Sequence, residues 1–464
     1  PQGQQIKTKT NPNTEVLLEI IVLFFVPLWR NCKMGEFVHM PKKRKYNIID
    51  LFAGAGGLSE GFVQAGFNPI AHIEMDHYAC DTLRTRAAFH YLKETNQLAI
   101  YEQYLKNKKE RENGQWLWDQ VPASVVNTVI QATIGEDTLN EIFSKVDALK
   151  SRKRIDVIVG GPPCQAYSIA GRARLGKEVI QKDPRNELYK YYVRFIERYK
   201  PKMFVFENVL GILTAKDGQP FADLQRLVRD LGYEIEYQVQ LASEHGVMQS
   251  RQRVIIVGWQ NNRRYHYPIL PVEDNPYQVL RDVFSDLPIR RAGEGKLCGV
   301  VSYTKPLSEM VYLQNANIRG CLDFTTQHIA RPNNLNDREI YVMALTKFLE
   351  THKQLSYKEI PADHQTHKNI DSFLNRFSVV NPYGSSHTVV AHIAMDGHYY
   401  IYPTLHPTVE DVRSITIREA ARLQSFPDDY FFEGSRSAAY KQIGNAVPVR
   451  WAYKIAVEIK NMLP

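Results

Sequence analysis

The stretch DLFAGAGGL, residues 50–58, decides the fold class of this 464-residue chain. A buried strand predicted over Asn47–Phe52 leads into these glycines, and a helix pattern follows. Glycines let backbone amides approach a ligand closely. A second predicted strand, Ile70–Ile73, ends at Glu74, whose carboxylate could accept both hydroxyl groups of an adenosine ribose. The pattern predicts a nucleotide-binding α/β unit, although a tight turn with no ligand would explain the glycines alone equally well.

Further short apolar runs indicate more buried strands, at Ile155–Gly160, Met203–Phe206 and Arg253–Gly258. A fourth run, Glu234–Leu241, alternates polar and apolar residues, as a half-buried strand does. Helix patterns lie between the strands, and a last helix face is formed by Trp451, Ile455 and Ile459. Short continuous runs are typical of a largely parallel sheet covered by helices. We therefore predict a doubly wound α/β fold.

Composition changes divide the chain into four parts. We expect residues 1–45 to be an N-terminal extension, either docked as a helix or disordered, and residues 46–258 to be the first catalytic segment. Prolines and glycines after Gly258 predict a smaller, irregular domain over residues 259–387. The α/β pattern returns over residues 388–464. Tyr91–Asp147 is largely polar, and we expect it to be an insertion of long helices outside the core.

The net charge indicates the kind of partner, and the cysteines indicate the cellular compartment. Lys and Arg exceed Asp and Glu by 58 to 50, and the sequence pI is about 9.0. This balance suits a polyanion such as nucleic acid, although many basic proteins bind none. The five cysteines are widely spaced with no CxxC pair, so we expect no metal site and a reducing, cytoplasmic location. The apolar stretch Val16–Trp29 is too short to span a bilayer comfortably, and no membrane association is expected.

The block GGPPCQ, residues 160–165, holds a cysteine at the end of a predicted strand. Pro162 and Pro163 fix the backbone just before Cys164. A free thiol has a pKa of roughly 8.5, so Cys164 is a nucleophile only if its site lowers that value or a base removes the proton. The alternative for a lone cysteine is a small buried hydrophobe.

Two more blocks follow strand ends or lead into a strand. Glu207 opens the block ENV, and a partly desolvated carboxyl there would hold a proton near neutral pH. Its alternative is a helix-capping carboxylate. The block QSRQR, residues 249–253, places Arg251 and Arg253 at alternate positions, which suits carbonyl or phosphate oxygens. Their alternative is a surface salt-bridge pair.

A nucleophilic thiol, a carboxylic acid and two guanidinium groups are together suited to nucleophilic attack on a pyrimidine ring. Carbon 5 of cytosine is a poor nucleophile. Addition of a thiolate to carbon 6, with a proton supplied at N3, makes carbon 5 reactive toward a methyl group on a sulfonium. Loss of the carbon 5 proton then expels the cysteine.

These blocks, in this order, resemble the bacterial DNA (cytosine-5) methyltransferase family. The resemblance covers Asn47–Gly258 and about Thr388–Ala456. It also includes ITIREAARLQSFPD, residues 415–428, and QIGNAVP, residues 442–448. It implies a Rossmann-like domain that uses S-adenosylmethionine as methyl donor, joined to a smaller target recognition domain.

The resemblance assigns a role to each candidate residue. Cys164 would be the nucleophile, Glu207 would protonate N3, and Arg253 would contact cytosine O2 with Arg251 supporting the site. The residues implied at the donor site are Phe52, Ala53, Gly54, Gly56, Gly57, Leu58, Glu74, Asp137, Pro163, Asn445, Ala446 and Val447. Asp137 is the weaker choice among them, as an acidic contact to the adenine.

The partner implied is double-stranded DNA, with a target cytosine flipped out of the duplex. Candidates for phosphate or guanine contacts in the middle segment are Arg263, Arg264, Arg290, Arg291, Lys296 and Lys305, each of which could equally be a solvated charge. We expect a monomeric bacterial enzyme associated with the nucleoid, paired with a cognate restriction endonuclease.

The alternatives are a tRNA cytosine-5 methyltransferase and a catalytically inactive DNA-binding relative. A nucleotide-dependent oxidoreductase leaves the Pro-Pro-Cys and Glu-Asn-Val blocks unexplained, and an amino-group methyltransferase would carry an aromatic residue where Cys164 stands.

Overall fold

A seven-stranded sheet organises the molecule. The structure is a computed structural model, and it describes residues 45–163, 187–366 and 371–464. The strand order is β3-β2-β1-β4-β5-β8-β6. Its strands are β1 Asn47–Leu51, β2 Asn68–Glu74, β3 Val129–Gln131, β4 Val157–Gly160, β5 Met203–Asn208, β6 Tyr233–Leu241 and β8 Gln252–Gln260. The short strand β7, Gln249–Ser250, lies outside this sheet and pairs with Ser386–His387. β1 to β5 run parallel, whereas β8 is antiparallel to its neighbours β5 and β6.

Side chains alternate along the strands, so the sheet has two apolar faces. Ile48, Val157 and Val205 belong to the face that packs on the helices nearest both ends of the described chain. Ile49 and Ile158 belong to the opposite face, which packs on three helices from the middle of the catalytic segment. Both faces are therefore covered, and the predicted doubly wound α/β fold is confirmed.

The helices vary from single turns to five turns. They are α1 Gly57–Gln64, α2 His77–Glu94, α3 Leu98–Asn107, α4 Gln115–Trp118, α5 Ala123–Val126, α6 Glu136–Lys150, α7 Leu188–Tyr199, α8 Gly211–Thr214, α9 Gln219–Asp230, α10 Val311–Asn315, α11 Leu335–Thr351, α12 Ile417–Leu423, α13 Arg436–Asn445 and α14 Val449–Met462. α1 and α14 cover one face of the sheet, and α6, α7 and α9 cover the other. None of the helices in these described ranges is long and apolar enough to cross a membrane.

The crevice that positions the site lies at the carboxyl ends of β1 and β4. The chain passes from β1 to β2 and β3 on one side of β1 and then returns to β4 on the other side, so the strand order reverses at β1. Such a switch point is where open α/β sheets bind their ligands. The first strand ends one residue earlier than predicted, at Leu51, because Phe52 takes a positive φ of 57°.

The prediction that Tyr91–Asp147 lies outside the core is wrong. The segment supplies β3, an edge strand of the main sheet, and α6, which covers one face. Tyr101, Leu105 and Trp118 are buried against the C-terminal part of the chain. The segment looks polar because its helices are amphipathic, and a three-residue strand is too short to give a periodic signal.

Residues 259–387 are irregular at first but contain one long helix that the sequence pattern did not predict. A two-stranded antiparallel sheet pairs β9, Val300–Ser302, with β10, Phe324–Thr326. The helix α11 begins after Asn334, whose side chain accepts a hydrogen bond from the Asp337 amide. α11 has a small core of its own, whereas the part around β9 and β10 shares a core with α2, α3 and α12.

Candidate active site

The glycine loop after β1 takes left-handed backbone conformations at three positions. The φ angles are 57° at Phe52, 54° at Gly54 and 83° at Gly56. The Gly54 amide donates to Glu74 Oε2 at 2.8 Å, and the Asp76 amide donates to Glu74 Oε1 at 2.8 Å. Glu74 therefore ties the loop to the turn after β2, and this brings together two of the predicted donor-site elements.

Burial raises the pKa of the Glu74 carboxyl above that of an ordinary glutamate. Hydrogen bonds from the amides of Asp76 and Gly54 act in the opposite direction and offset only part of this effect. The two carboxylate oxygens together have about four acceptor positions, more than the backbone amides around them occupy. Glu74 can therefore still accept hydroxyl groups. An added Cβ at Gly54 would meet nothing within 4 Å, so the loop borders open space.

The far end of the chain supplies the second wall of this crevice. A Cβ built on Gly57 would lie 2.4 Å from the Val447 carbonyl oxygen and 3.1 Å from the Ala446 side chain. No side chain larger than hydrogen fits there without moving the backbone. The structure thus brings Gly57 of α1 against the Ala446–Val447 turn, as the predicted donor site requires.

The other predicted donor-site residues differ in exposure. Ala53 and Leu58 are buried beneath the loop. Pro163 is half-buried just past β4, and Asn445 is exposed at the last residue of α13. Asp137 is exposed in the first turn of α6, and the structure gives it no contact with the glycine loop.

The carboxylate of Glu207 lies near the end of β5, beside the end of β4. Glu207 Oε1 is 3.1 Å from Arg253 Nε, and the two side chains are 12% and 15% exposed. The contact is an ion pair and not an aligned hydrogen bond, so Oε1 has no hydrogen-bond donor within the described ranges. Asn208, the next residue, donates from Nδ2 to the Pro162 carbonyl at 3.3 Å. The Glu207 block is thereby attached to the segment that leads to Cys164.

The two arginines of the QSRQR block have different partners. Arg253 is on β8 beside Glu207, and its Nη1 also donates to the Gln252 carbonyl at 2.7 Å. Arg251 is buried, and its Nη1 donates to the carbonyl oxygens of Val389 at 2.9 Å and Gly444 at 3.5 Å. Arg251 thus holds backbone segments in place, whereas Arg253 reaches the candidate acid. Cys164 itself lies outside the described residues.

A family model described as C-5 cytosine-specific DNA methylase matches residues 46–109 and 127–461. The chain belongs to this family. It is a DNA cytosine-5 methyltransferase. Residues 110–126, which hold α4 and α5, fall outside the match.

Two relatives and one solved structure illustrate the likeness. A type II methyltransferase of Bacillus paralicheniformis, M.Bpa9945I, is 37% identical over 90% of this chain and 99% of its own length. A type II methyltransferase of Desulfomicrobium norvegicum, M.DdeI, is 32% identical over 89% of this chain and 88% of its own length. A prophage-encoded protein of Escherichia coli, described as a DNA modification methyltransferase, matches in fold with a TM-score of 0.58 at 22% identity, covering 90% of this chain and 99% of that one.

Two buried glutamines of the methyltransferase, for which the sequence predicted no role, link the sequence blocks that resemble the family to one another. Gln249 donates to Gln424 Oε1 at 3.0 Å and accepts from the Val389 amide at 2.7 Å. Gln424 donates to the carbonyl oxygens of Ile443 at 2.8 Å and Ala446 at 3.3 Å. Their positions gave a hint, because each is an uncharged polar residue inside a block that resembles the family: Gln249 in residues 249–253 and Gln424 in residues 415–428. Their partners could not be read from the chain.

The six candidate DNA contacts of the methyltransferase are placed unequally. Arg263, Arg264, Arg291 and Lys296 are exposed. Arg290 Nε donates to the His328 carbonyl at 3.3 Å, and Lys305 Nζ donates to Ser285 Oγ at 2.9 Å. Within the described part of the chain, no group of three or more His, Cys, Asp or Glu side chains is placed to hold a metal ion.

Proposed function

We propose that this methyltransferase transfers a methyl group from S-adenosylmethionine to carbon 5 of a flipped-out cytosine in duplex DNA, through a covalent bond from Cys164. The observation that carries the proposal is the Glu207–Arg253 pair, 3.1 Å apart at the carboxyl edge of the sheet. N3 and O2 are neighbouring positions on a cytosine ring. An acid and a cation side by side suit these two atoms, and Cys164 follows the adjoining strand.

The crevice between β1 and the Ala446–Val447 turn fits the methyl donor. Left-handed residues form a loop with open space beside Gly54, and Glu74 offers acceptor oxygens for ribose hydroxyls. The residues that would hold the donor are Phe52, Gly54, Gly56, Gly57, Glu74, Ala446 and Val447, with Asn445, Asp137 and Pro163 at its edges. S-adenosylmethionine supplies an electrophilic methyl group on a sulfonium.

The residues of this chain perform the remaining steps. The Cys164 thiolate forms a bond to carbon 6, while Glu207 supplies a proton to N3 and Arg253 binds O2. Carbon 5 thereby becomes nucleophilic and can accept a methyl group. Water then takes the carbon 5 proton, which restores the double bond between carbons 5 and 6 and releases Cys164 as a thiolate, while N3 returns its proton to the Glu207 carboxylate. Arg251, which immediately precedes β8, binds the backbone carbonyls of Val389 and Gly444 and so holds the start of β8 against the C-terminal segment.

The relatives support a biological setting for this activity. They are named type II methyltransferases and come from bacteria. We therefore propose that the protein acts as a monomer on chromosomal DNA in the bacterial cytoplasm, as the modification enzyme of a restriction-modification system. Residues 259–387 would form the target recognition domain, with the flanking segments performing the chemistry.

A mechanism-based trap tests the covalent step. Duplex DNA with 5-fluorocytosine at target sites should give a denaturant-resistant adduct with the wild-type protein and donor, because fluorine cannot leave as a proton does. Cys164→Ser should give no adduct and no methylation, since a hydroxyl is a far weaker nucleophile at neutral pH. An adduct of undiminished yield from Cys164→Ser would overturn the proposal. Labelled-methyl transfer to tRNA in place of DNA would redirect it to an RNA substrate.

A further inference from the structure

The carboxylate of Glu207 has Arg253 on one side and Gly161 on the other. We propose that Gly161 is a positioning residue for the reaction, because the absence of its side chain creates the space that the Glu207 carboxylate occupies. This inference rests on the proposed role of Glu207 as the proton donor to N3. It assigns a function in the chemistry to a residue that does not itself contact the base.

The geometry around Gly161 carries the inference. A Cβ built there would lie 2.9 Å from Glu207 Oε2 and 3.2 Å from the Glu207 carbonyl oxygen. Arg253 Nε lies 3.1 Å from the other carboxylate oxygen, Oε1. The carboxylate therefore lies between a cation and the bare backbone of the segment that leads to Cys164.

The backbone conformation does not explain why residue 161 is glycine. Gly161 is absent from the positive-φ glycines of the described chain, so its φ is one that an alanine can adopt. Residue 161 must therefore be glycine because the Glu207 carboxylate approaches it closely. Oε2, the nearest atom, is the far end of a flexible side chain, so an added methyl group would displace the carboxylate. The 3.2 Å approach to the Glu207 carbonyl oxygen requires the backbone to shift by only a few tenths of an ångström.

The preceding residue, Gly160, provides a contrast. A Cβ there would lie 2.4 Å from the Leu51 carbonyl oxygen, which is backbone of the adjacent strand β1. A methyl group at residue 160 must therefore move a strand, and its cost should appear as lost stability. At residue 161 the cost should appear mainly as lost rate, because the group that moves is the acid.

The test measures single-turnover methyl transfer by Gly161→Ala with saturating donor and DNA. We expect a rate on the order of 10- to 100-fold below wild type, the usual effect of displacing a catalytic group by under about 1 Å. Donor affinity and the thermal unfolding temperature should stay near wild type. Gly160→Ala should instead unfold at a distinctly lower temperature. If Gly161→Ala turns over at the wild-type rate, the inference is overturned.

A double-mutant cycle separates positioning from a general structural effect. Glu207→Asp shortens the side chain by one methylene and moves the carboxylate away from residue 161. Adding Gly161→Ala to Glu207→Asp should then reduce the rate by a much smaller factor than adding it to wild type. Equal factors in both backgrounds would refute the inference. Failure of the proposed function is distinguishable, because in that case the wild-type protein itself would not methylate DNA.

Discussion

At the scale of single residues, the site consists of side chains that have both a structural and a chemical task. Glu74 accepts two backbone amides and still borders the open crevice. Glu207 is paired with Arg253 while one of its oxygens has no hydrogen-bond donor in the described ranges. A substitution at such a residue can therefore act through geometry or through charge, and an isosteric change is needed to separate the two.

Glu74 should make donor binding sensitive to acid. Its pKa is raised by burial, so it takes up a proton at a higher pH than an ordinary glutamate does. Above that pKa the carboxylate is charged and, in the proposed role of Glu74, would accept ribose hydroxyls strongly. As the pH falls through it, donor affinity should fall. Calorimetric titration of the donor over a pH series measures this.

Glu74→Gln is the matched control for the pH series. We expect it to bind the donor on the order of 10- to 100-fold more weakly at neutral pH, because glutamine has no charge and accepts only one of the two backbone amides, and hydrogen bonds to charged groups stabilise by about 1.5–3 kcal/mol. It should also lose the acid-dependent decline. A decline of equal size in Glu74→Gln would show that another group is responsible.

Glu207→Gln should slow the methyl-transfer step while leaving donor affinity unchanged. The amide keeps the shape of the side chain but cannot supply a proton to N3 as a carboxyl can. General acid catalysis of this kind contributes about 10²- to 10⁴-fold. Single-turnover rates measured beside a donor titration test this, and an unchanged rate would count decisively against the role of Glu207.

At the scale of elements, sequence patterns predicted the strands that carry the site but not all of their neighbours. β1, β4, β5 and β8 were predicted because each is a continuous buried run. β3 was missed because a strand of three residues is too short to show an alternating pattern. α11 was missed because it follows a long run of loops, and the whole segment was predicted to be irregular. The contact between Gly57 and Val447 could not be predicted, since nothing local to either residue specifies its partner.

The helix α12 is held by a buried ionic cluster, and the cluster gives a stability prediction. Arg422 contacts Asp286 Oδ1 at 2.5 Å and Asp428 Oδ2 at 2.6 Å, all three fully buried. Burial alone would raise the pKa of Asp428, but Arg422 holds it below the usual range. Arg422→Met would leave two buried carboxylates without their main partner. We expect the free energy of unfolding to fall by about 3–5 kcal/mol.

Arg226→Met is the matched control for this change. Arg226 is 62% exposed on α9 and pairs with Asp223 and Asp230 on the surface. Exposed pairs of this kind contribute about 0–1 kcal/mol, so urea unfolding should barely change. Equal losses in the two variants would refute the structural role assigned to the Arg422 cluster.

At the scale of the whole molecule, chemistry and recognition should lie in different segments. The donor crevice and the Glu207–Arg253 pair come from residues before 259 and after 387. In the middle segment Arg291 is 61% exposed and pairs loosely with Asp411 at 3.3 Å, whereas Arg290 is partly held by the His328 carbonyl. Arg291 is thus the better placed of the two to contact a base.

Arg291→Ala should relax sequence preference at one position of the recognised site. A bidentate contact to guanine discriminates by about 1–3 kcal/mol, so the preference for that base should fall by that amount. Methylation of a randomised DNA library reports this, with Arg226→Met as the unaffected control. A uniform loss across all sequences would identify a phosphate contact, and weakened donor binding would contradict the division of the molecule.

The packing of α1 against the far end of the chain bears on how the enzyme is made in the cell. The ribosome completes the glycine loop early, but it makes the Ala446–Val447 turn only after nearly all the rest of the described chain. A nascent or prematurely terminated chain that ends before this turn has the loop without its second wall. If this crevice holds the donor as proposed, we expect donor binding to begin only near the end of translation, and we expect proteolytic loss of α13 and α14 to abolish activity.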